Sequence, residues 1–387
     1  MTMETKNDIF AEHCREYWAG NKRAKSGILD AVCAVTRMHR KAAVRKFRRL
    51  QLKDRATPES RGRKTYYCHG VTAALKDVWE AANEICGELL HAVLGEYVTI
   101  LERDKLWTHG DEVTGKLLAM STATMKRRVG AFMKARRKKH GLSSTSLSRL
   151  KSIIPIFFGD WSDKPPGHGE LDTVVHSGDS LLGDMAYTVN YTDVATYWTI
   201  ARAQWNKGQE ATLASMQAVR ERLPWEWLEG HPDSGSEFIN WVAKDWFEQE
   251  GILLTRSRPN KKNDNCYLEE RNGHVIRKFL GYMRLDCREI VSLMNELYDV
   301  LCPYLNHFVP TRRTKEKVRE GARYKRTYEK AQTAYRRAIL SPDVRNEVKE
   351  RLGEEHLGLN PLLMKKEIDK LITKIFAMQK RLGGPRN

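Results

Sequence analysis

Three acidic residues stand at positions from which their carboxylates could meet. Asp172 lies within an apolar segment, where an ionised side chain is costly unless it is paired or bound to a metal. Asp233 precedes the turn-forming Gly235, and thirty-five residues separate Asp233 from Glu269. Carboxylates that converge from separate elements can form an oxygen cage of the kind that Mg²⁺ prefers. The three acids are therefore our candidates for a catalytic metal site.

A mixed sheet flanked by helices would bring these acids together. Short β-like segments alternate with amphipathic helical ones, which predicts the order βββαβαβα. Asp172 would then lie inside the first strand, Asp233 would end the fourth, and Glu269 would open the last helix. The predicted strands span 170–177, 185–196, 197–204, 225–233 and 252–257, and the predicted helices span 208–224, 237–250 and a segment that starts near residue 268.

The acids and their flanking sequences resemble the catalytic core of the transposase and retroviral integrase superfamily. Two segments carry the resemblance, 231-HPDSGSEFIN-240 and 263-NDNCYLEERNGHVIRKFLGY-282. Their sequence pattern is similar to that of bacterial insertion-sequence transposases. Those transposases have an Asn-Asp-Asn turn, then an apolar residue followed by Glu, then an Asn three residues after that Glu. The same features occur here at 263–265, at Leu268 and Glu269, and at Asn272. The resemblance covers roughly residues 160 to 310 and implies an RNase H-like fold.

What the resemblance implies is a DNA transposase. Asp172, Asp233 and Glu269 would hold two Mg²⁺ ions, for which Mn²⁺ could substitute. One ion would activate the attacking water or 3′-hydroxyl, and the other would stabilise the leaving oxygen. The protein would nick transposon ends and join their 3′-OH to target DNA, acting as a homo-oligomer on double-stranded DNA. Two alternatives remain, namely a catalytically silent DNA-binding protein of this fold and a nuclease that never joins strands.

Other acids in the region are assigned other roles. Glu270 would point about 100° away from Glu269 on a helix, and Glu237 suits a helix N-terminus better than a metal. Four further acids are rivals for the metal site, but they lie in turn-forming sequences, where bonds to the local backbone are the more common role. They are Asp179, Asp184, Asp193 and Asp264.

The chain of 387 residues is strongly basic, with a net charge of +18. Such a charge favours a polyanionic partner, with DNA or RNA first. Lys and Arg number fifteen against three acids over 22–64, eight against none over 126–139, and eleven against three over 312–337. Three separate blocks predict a long contact with a phosphate backbone rather than one small site.

Two of the basic blocks follow a pattern typical of helix-turn-helix domains, although ordinary helix pairs share it. Residues 26–50 and 113–141 each combine an apolar helix, a short turn and a basic helix, with Ser121 as the N-cap of the second basic helix. The predicted DNA contacts are Arg37, His39, Arg40, Lys41 and Arg45; Thr124, Lys126, Arg127 and Arg128; Arg271, Arg277 and Lys278; and Arg312, Arg313, Lys325 and Arg326.

These patterns together predict a multidomain protein of the α and α/β classes. The segment 311–339 could be an extended arm or a helix, and 342–382 should form two amphipathic helices that pack on the core or on another protomer. The predicted domains are a helix-turn-helix domain at 1–70, a second such helical domain at 71–157, an RNase H-like mixed-sheet core at 158–305, and a basic, mainly helical C-terminal region at 306–387.

Several classes of protein are not indicated by this sequence. The seven cysteines form no C-x-x-C pair, so neither a zinc finger nor a disulfide framework is predicted. No apolar run reaches eighteen residues, and the N-terminus lacks the apolar segment of a signal peptide. We therefore expect no membrane partner and a cytoplasmic, nucleoid-associated location in a bacterium.

Overall fold

The computed structural model describes residues 1–52, 66–134, 164–232, 238, 240–256, 272–320 and 323–384. The chain divides into two compact units, Met1–Tyr66 and Tyr67–Asn387. We call them the N-terminal unit and the main unit.

The N-terminal unit is a small bundle of helices. Its core includes Phe10 and Phe47, and the Phe47 ring stacks on Tyr17 with 4.2 Å between ring centroids. The predicted pair of helices within 26–50 is present, because the backbone turns at Arg37, which has a φ of 53°. Binding of DNA by this pair stays a prediction. The helices are α1 (Met3–Glu12), α2 (Cys14–Ala19), α3 (Lys22–Thr36) and α4 (Arg40–Leu52).

The main unit begins with helices and continues into a sheet. The helices are α5 (His69–Ala81), α6 (Gly87–Arg103), α7 (Asp111–Leu118) and α8 (Thr122–Lys134). The sheet region follows as β1 (His168–Val175), β2 (Ala186–Asp193), β3 (Thr199–Trp205), α9 (Gln209–Arg222), β4 (Glu229–Pro232), α10 (Trp241–Gln249) and β5 (Leu253–Leu254). The predicted order of strands and helices is confirmed up to β5.

The five strands of the described chain form one mixed sheet in the order β3-β2-β1-β4-β5. Strands β1, β2 and β3 are antiparallel neighbours, whereas β4 and β5 continue parallel to β1. The fold class is therefore mixed α/β, and this strand order is consistent with an RNase H-like core. Strand β4 begins at Glu229, later than predicted, because the residues just before it turn Trp227 into the core.

One face of the sheet packs against α9 and α10. Leu171 and Tyr191 of the sheet lie in the same buried cluster as Phe247 of α10. The close fit depends on Gly169, since a Cβ there would lie 2.1 Å from the Tyr191 ring. This face is apolar and closed.

The other face packs against a long helix and the N-terminal helices of the main unit. After β5, the described chain resumes as a π-helical segment (Asn272–Arg277), α11 (Lys278–Leu280) and α12 (Ile290–Phe308). Tyr97 of α6 donates a hydrogen bond to the Phe308 carbonyl at 3.3 Å, and Tyr304 donates to the Ala81 carbonyl at 2.7 Å. Helices α5 to α8 thus share one hydrophobic core with the sheet and belong to one compact unit with it.

The C-terminal region is mainly helical as predicted, but it also contains a β-hairpin within 311–339, the segment predicted as an extended arm or a helix. A β-hairpin comes first, formed by β6 (Thr314–Glu320) and β7 (Arg323–Tyr328), in which β-branched and aromatic residues that suit strands are interspersed among charged ones. Three helices follow, α13 (Ala334–Leu340), α14 (Asn346–Gly358) and α15 (Pro361–Leu382). The predicted apolar stripe of α15 packs on the core, where Ile368 and Ile375 are fully buried. In the described chain, no helix combines the length and the apolar character needed to cross a membrane.

Candidate active site

Asp172 lies in the middle of the central strand. It pairs with Asn190 of β2, and its side chain is half-buried. Its Oδ1 accepts a hydrogen bond from the Thr173 backbone N–H at 2.7 Å. Because side chains alternate along a strand, Asp172 shares a face of the sheet with Glu170. The prediction that Asp172 lies within an apolar strand is confirmed.

Strand β4 runs parallel to β1 beside this residue. Leu171, the residue before Asp172, pairs with Pro232, the last residue of β4. Asp233 follows Pro232 in the sequence, but Asp233 and Glu269 both lie outside the described residues. Of the three predicted metal ligands the structure therefore describes Asp172, and the described residues contain no cluster of three side chains suited to a metal ion.

A buried polar network, which the sequence analysis did not find, holds β4 in place. Glu229 is fully buried and accepts hydrogen bonds from Lys164 Nζ at 2.9 Å and Thr255 Oγ1 at 2.7 Å. Thr255 Oγ1 also lies 2.8 Å from Nδ1 of the buried His231. A signal was present in 229-EGHP-232, since a polar residue at every second position of a strand indicates one polar face. The network links β4 to β5 and to the segment before β1.

The helix that follows position 269 is fixed against the end of β1. Val275 and Ile276 are fully buried in the same core as Val174. Arg277 donates a hydrogen bond to the Val175 carbonyl at 2.7 Å, and its guanidinium lies 4.9 Å from the centre of the Tyr282 ring. Arg277 was predicted to contact phosphate, and in the structure it is bonded within the protein.

Burial sets the electrostatics of Arg277. Desolvation lowers the pKa of its guanidinium, and nearby Tyr282, Tyr298 and Asp172 each act in the opposite direction. The net pKa is below the usual value for arginine. The attraction to Asp172 shows that a positive group lies near the candidate carboxylate.

The rival acids in the described chain have partners in turns. Asp193 is fully buried, where its Oδ2 accepts from the Gly167 N–H and its Oδ1 accepts from the Thr196 N–H, each at 2.7 Å. Burial raises the Asp193 pKa, and these hydrogen bonds partly offset the rise. Asp184 accepts a hydrogen bond from Asn206 at 3.0 Å. The predicted turn role is confirmed for Asp193, whereas the partner of Asp184 is a side chain distant in the sequence. Asp179 lies in an exposed turn, and Asp264 lies outside the described residues.

The predicted DNA contacts of the N-terminal unit all lie at the surface. Arg40 is bound within the unit, because it forms an ion pair with Asp30 and donates to Ser26 Oγ at 2.6 Å. The exposed set comprises Arg37, His39, Arg40, Lys41 and Arg45.

The predicted contacts on α8 are partly engaged within the main unit. Ser121 caps the helix as predicted, since its Oγ accepts the Thr124 N–H at 3.4 Å. Glu88 of α6 binds Lys126 at 2.5 Å and Arg312 at 2.6 Å, and these two cations lower the pKa of Glu88. Arg127 is exposed, whereas Arg128 forms hydrogen bonds with Thr72 and with the Tyr67 carbonyl.

Some of the remaining predicted DNA contacts already form hydrogen bonds within the protein. Arg313 donates to the Ala195 carbonyl at 3.3 Å, and Lys278 donates to the Asn83 carbonyl. Lys325 is exposed. Arg271 and the side chain of Arg326 lie outside the part of the chain that the structure describes.

Comparison with known proteins shows the family of this chain. No protein-family model matches it. It is 32% identical over 333 residues to the "Uncharacterized protein y4rM" of Sinorhizobium fredii (strain NBRC 101917 / NGR234), which covers 85% of this chain and 93% of that protein. The chain therefore belongs to the same family as the y4rM protein.

A structural similarity was also found, and it is weak. The catalytic core domain of the HTLV-2 integrase, solved in complex with magnesium in its dimeric form, matches 38% of this chain and 90% of that chain. The TM-score is 0.28 and the sequence identity is 12%. A similarity this low supports no conclusion about function.

Proposed function

We propose that this protein is a DNA transposase that nicks transposon ends and joins their 3′-OH groups to target DNA. The reaction would be a metal-assisted displacement at phosphorus, with Asp172, Asp233 and Glu269 as the metal ligands. Support comes from the strand pairing around Asp172, the helix that follows position 269, and the basic charge of the chain.

The pairing of β1 with β4 carries the proposal. Leu171 pairs with Pro232, and Asp172 and Asp233 are the next residues of the two parallel strands. Consecutive Cα atoms are about 3.8 Å apart, so the chain that leaves β4 starts beside Asp172. Residues 229, 231 and 233 also have the same parity, so a continued strand would direct Asp233 to the face that carries Asp172.

Glu269 comes shortly before a segment that packs against the end of β1. Glu269 precedes Asn272 by three residues, which span at most roughly 11 Å. Asn272 opens a π-helical segment that leads into the buried pair Val275 and Ile276, and Arg277 bonds to the end of β1. Isolated π-helical turns occur frequently at functional sites. These contacts support a Glu269 within reach of the end of β1, the strand that carries Asp172.

The donor chemistry fits a divalent cation. Carboxylate oxygens are hard ligands that suit Mg²⁺ and Mn²⁺. A bound metal would supply a positive charge that stabilises the oxygens at the reacting phosphorus. The contribution of the chain is to position the carboxylates, since Asp172 lies on a central strand and the Glu229 network holds the neighbouring strand. Sites carried by strands are held more precisely than sites on loops.

The test is a strand-transfer assay on DNA from both sides of the coding sequence, with Mg²⁺ or Mn²⁺. We expect joined products from the wild type, and a loss of roughly a hundredfold or more in Asp172→Asn, because the metal contribution is worth several kcal/mol. Asp179→Asn is the matched control, since it makes the same change at an exposed turn acid. Asp233→Asn and Glu269→Gln should behave like Asp172→Asn.

The outcomes separate the alternatives. Joined products that persist in Asp172→Asn would show that Asp172 is not a ligand. Cleavage without joining would indicate a nuclease, and DNA binding with no cleavage would indicate a catalytically silent DNA-binding protein. Equal melting temperatures for Asp172→Asn and Asp179→Asn would show that the difference in strand transfer does not come from a loss of folding.

A further inference from the structure

A single carboxylate joins two cations that come from separate basic blocks of the sequence. Glu88, at the start of α6, accepts a hydrogen bond from Lys126 Nζ at 2.5 Å through Oε1 and from Arg312 at 2.6 Å through Oε2. Lys126 belongs to α8, and Arg312 lies between α12 and β6. The fold thus brings the basic blocks at 126–139 and 312–337 together at one point.

The backbone of Lys126 is positioned by contacts that do not involve the carboxylate of Glu88. Met125 and Val129, on the same helix, are buried in the core that also contains α6 residues. A Cβ at Gly87 would lie 2.8 Å from the Lys126 backbone, so the start of α6 packs directly on α8. Removing the charge of Glu88 should therefore leave Lys126 where it is.

Arg312 is likewise held by the residues on either side of it. Thr311 exchanges two backbone hydrogen bonds with Gln332, at 2.8 and 3.0 Å. Arg313 donates to the Ala195 carbonyl at 3.3 Å. The guanidinium of Arg312 also lies 5.5 Å from the centre of the Tyr328 ring, which restricts its orientation. Both cations are thus held near one point by the rest of the fold.

All three charged side chains can be reached from solvent. Lys126 is 53% exposed, Glu88 is 32% exposed and Arg312 is 33% exposed. Ion pairs at this exposure add little to folding stability, because water competes for each partner. Folding therefore gives little reason for one acid to hold two cations from different elements, and an anion from solvent could replace the acid.

The arrangement suits a phosphate group. The two oxygens of Glu88 each accept from one cation, and a phosphodiester likewise offers two non-bridging oxygens that share one negative charge. Arginine and lysine bind carboxylates and phosphates through the same N–H donors. Arg127, the residue after Lys126, is exposed and could meet the next phosphate. The carboxylate of Glu88 is therefore in the position that a phosphate would take.

We propose that Lys126 and Arg312 form one binding site for a backbone phosphate of duplex DNA, and that Glu88 occupies this site in the free protein. Binding would turn Glu88 out into solvent, and the phosphate would accept the hydrogen bonds that Glu88 gives up. The acid thereby weakens non-specific attraction between a chain of net charge +18 and DNA. The identity of the polyanion as DNA rests on the proposed function, but binding itself requires no catalysis.

The test measures binding of the full chain to a labelled random-sequence duplex over a range of salt concentrations. Glu88→Gln removes the competing charge and keeps the size of the side chain, so we expect roughly three- to tenfold tighter binding. Glu112→Gln is the matched control, because Glu112 is also the second residue of its helix and binds Lys116 at 2.5 Å. The control should leave the affinity nearly unchanged.

A second set of variants removes the cations from the Glu88→Gln protein. Adding Lys126→Gln or Arg312→Gln should abolish the gain in affinity and lower the slope of log K against log salt by about 1, because each change removes a phosphate contact. Adding Lys116→Gln to Glu112→Gln should change neither. The Glu88→Gln protein should melt close to the wild type, since exposed ion pairs add little stability.

Lysine acetylation followed by mass spectrometry reports the contact directly. The duplex should slow the acetylation of Lys126, and it should do so more strongly in Glu88→Gln than in the wild type at the same DNA concentration. Lys370 is the internal control, because its side chain is similarly exposed, at 59%, and is paired with Glu367. The duplex should leave the acetylation of Lys370 unchanged.

Four results would overturn the inference. Equal gains in Glu88→Gln and Glu112→Gln would indicate general charge attraction, and no gain together with a lower melting temperature would make Glu88 a structural residue. A gain that survives the loss of Lys126 and Arg312 would place the site elsewhere. Tighter binding of single-stranded RNA but not of the duplex would contradict the assignment of duplex DNA.

These outcomes are distinct from those for the proposed function. Strand transfer that depends on Asp172, with unchanged DNA affinity in Glu88→Gln, defeats only the inference. The expected gain in affinity, with no strand transfer by any variant, defeats only the transposase.

Discussion

The part of the sheet around Asp172 and the hairpin of β6 and β7 both concentrate charge, but they differ in how that charge is neutralised. At the sheet, the buried Glu229 and the half-buried Arg277 each have partners within hydrogen-bond distance. Along the hairpin, six basic residues stand against two acids, and the described side chain of Lys325 is exposed. Burial makes an unpaired charge costly, whereas exposure permits a surplus that only an external anion would neutralise. The charges around Asp172 therefore hold the fold, whereas the hairpin carries its net positive charge where the described side chains are exposed.

At the base of the hairpin the charge of Arg337 is buried and paired, like the charges at the sheet. Arg337→Met should therefore have the largest effect on the free energy of unfolding. The substitution removes a buried guanidinium and leaves Glu329 and the Thr311 carbonyl without it. We expect a loss of about 3 kcal/mol in the free energy of unfolding, measured by urea denaturation. Arg336→Met, at the exposed neighbouring position, should change it by less than about 0.5 kcal/mol. Equal losses would show that helix α13, not the buried guanidinium, is the sensitive feature.

Buried histidines make the stability of the protein depend on pH. Burial, and then the nearby His356, lower the pKa of His307 to about 3, so His307 is neutral when folded and protonates near its ordinary value when unfolded. The unfolded state therefore binds more protons between these two pKa values, and this part of the stability is present above pH 6.5 and is lost as pH falls toward 3. At pH 5 the loss should be about 2 kcal/mol relative to pH 7.5.

The measurement compares urea unfolding at pH 7.5 and pH 5 for three proteins. His307→Gln should show a smaller difference between the two pH values than the wild type, by about the same 2 kcal/mol. His69→Gln, at an exposed position, should leave the difference unchanged. His176 is also buried with a pKa lowered to about 3, so the variant should keep part of the acid sensitivity.

Glu229→Gln should have the smallest effect of the three. A glutamine keeps the size and one acceptor, so Thr255 retains its hydrogen bond, but Lys164 loses its ion pair. Because Lys164 is itself 27% exposed and can be solvated, we expect a loss of about 1 kcal/mol in the free energy of unfolding. Glu226→Gln, at an exposed position three residues earlier, serves as the control and should be neutral. A neutral Glu229→Gln would mean that the network adds nothing to the stability of β4.

The sequence predicted the sheet region well, and the reason is local. Strands such as 186–193 and 199–205 alternate or run apolar, and turn residues separate them, so their positions follow from periodicity. The hairpin at 314–328 was missed because a run of mostly charged residues has no clear period. Its strands become evident only when they pair with each other.

For the candidate site, the sequence named Asp172 and its strand, while the roles of Asp233 and Glu269 stay predictions. It did not name the partners of Glu229, because Lys164 and Thr255 are distant in the chain and meet only when β4 lies between β1 and β5. It also did not show that Arg128 and Arg313 bind within the protein, since exposure cannot be read from residue type.

By itself, the amino-acid sequence determined the order of strands and helices, the acid within the first strand, and the net positive charge, because periodicity and composition are properties of neighbouring residues. The tertiary structure decided which buried charges are paired, which residues of the hairpin stand opposite one another, and that α5 to α8 share a core with the sheet. Those features depend on strand register and helix docking, which bring together residues far apart in the chain. A shift of one residue in register would change every cross-strand neighbour, so only the folded pairing decides that Val318 stands opposite Lys325.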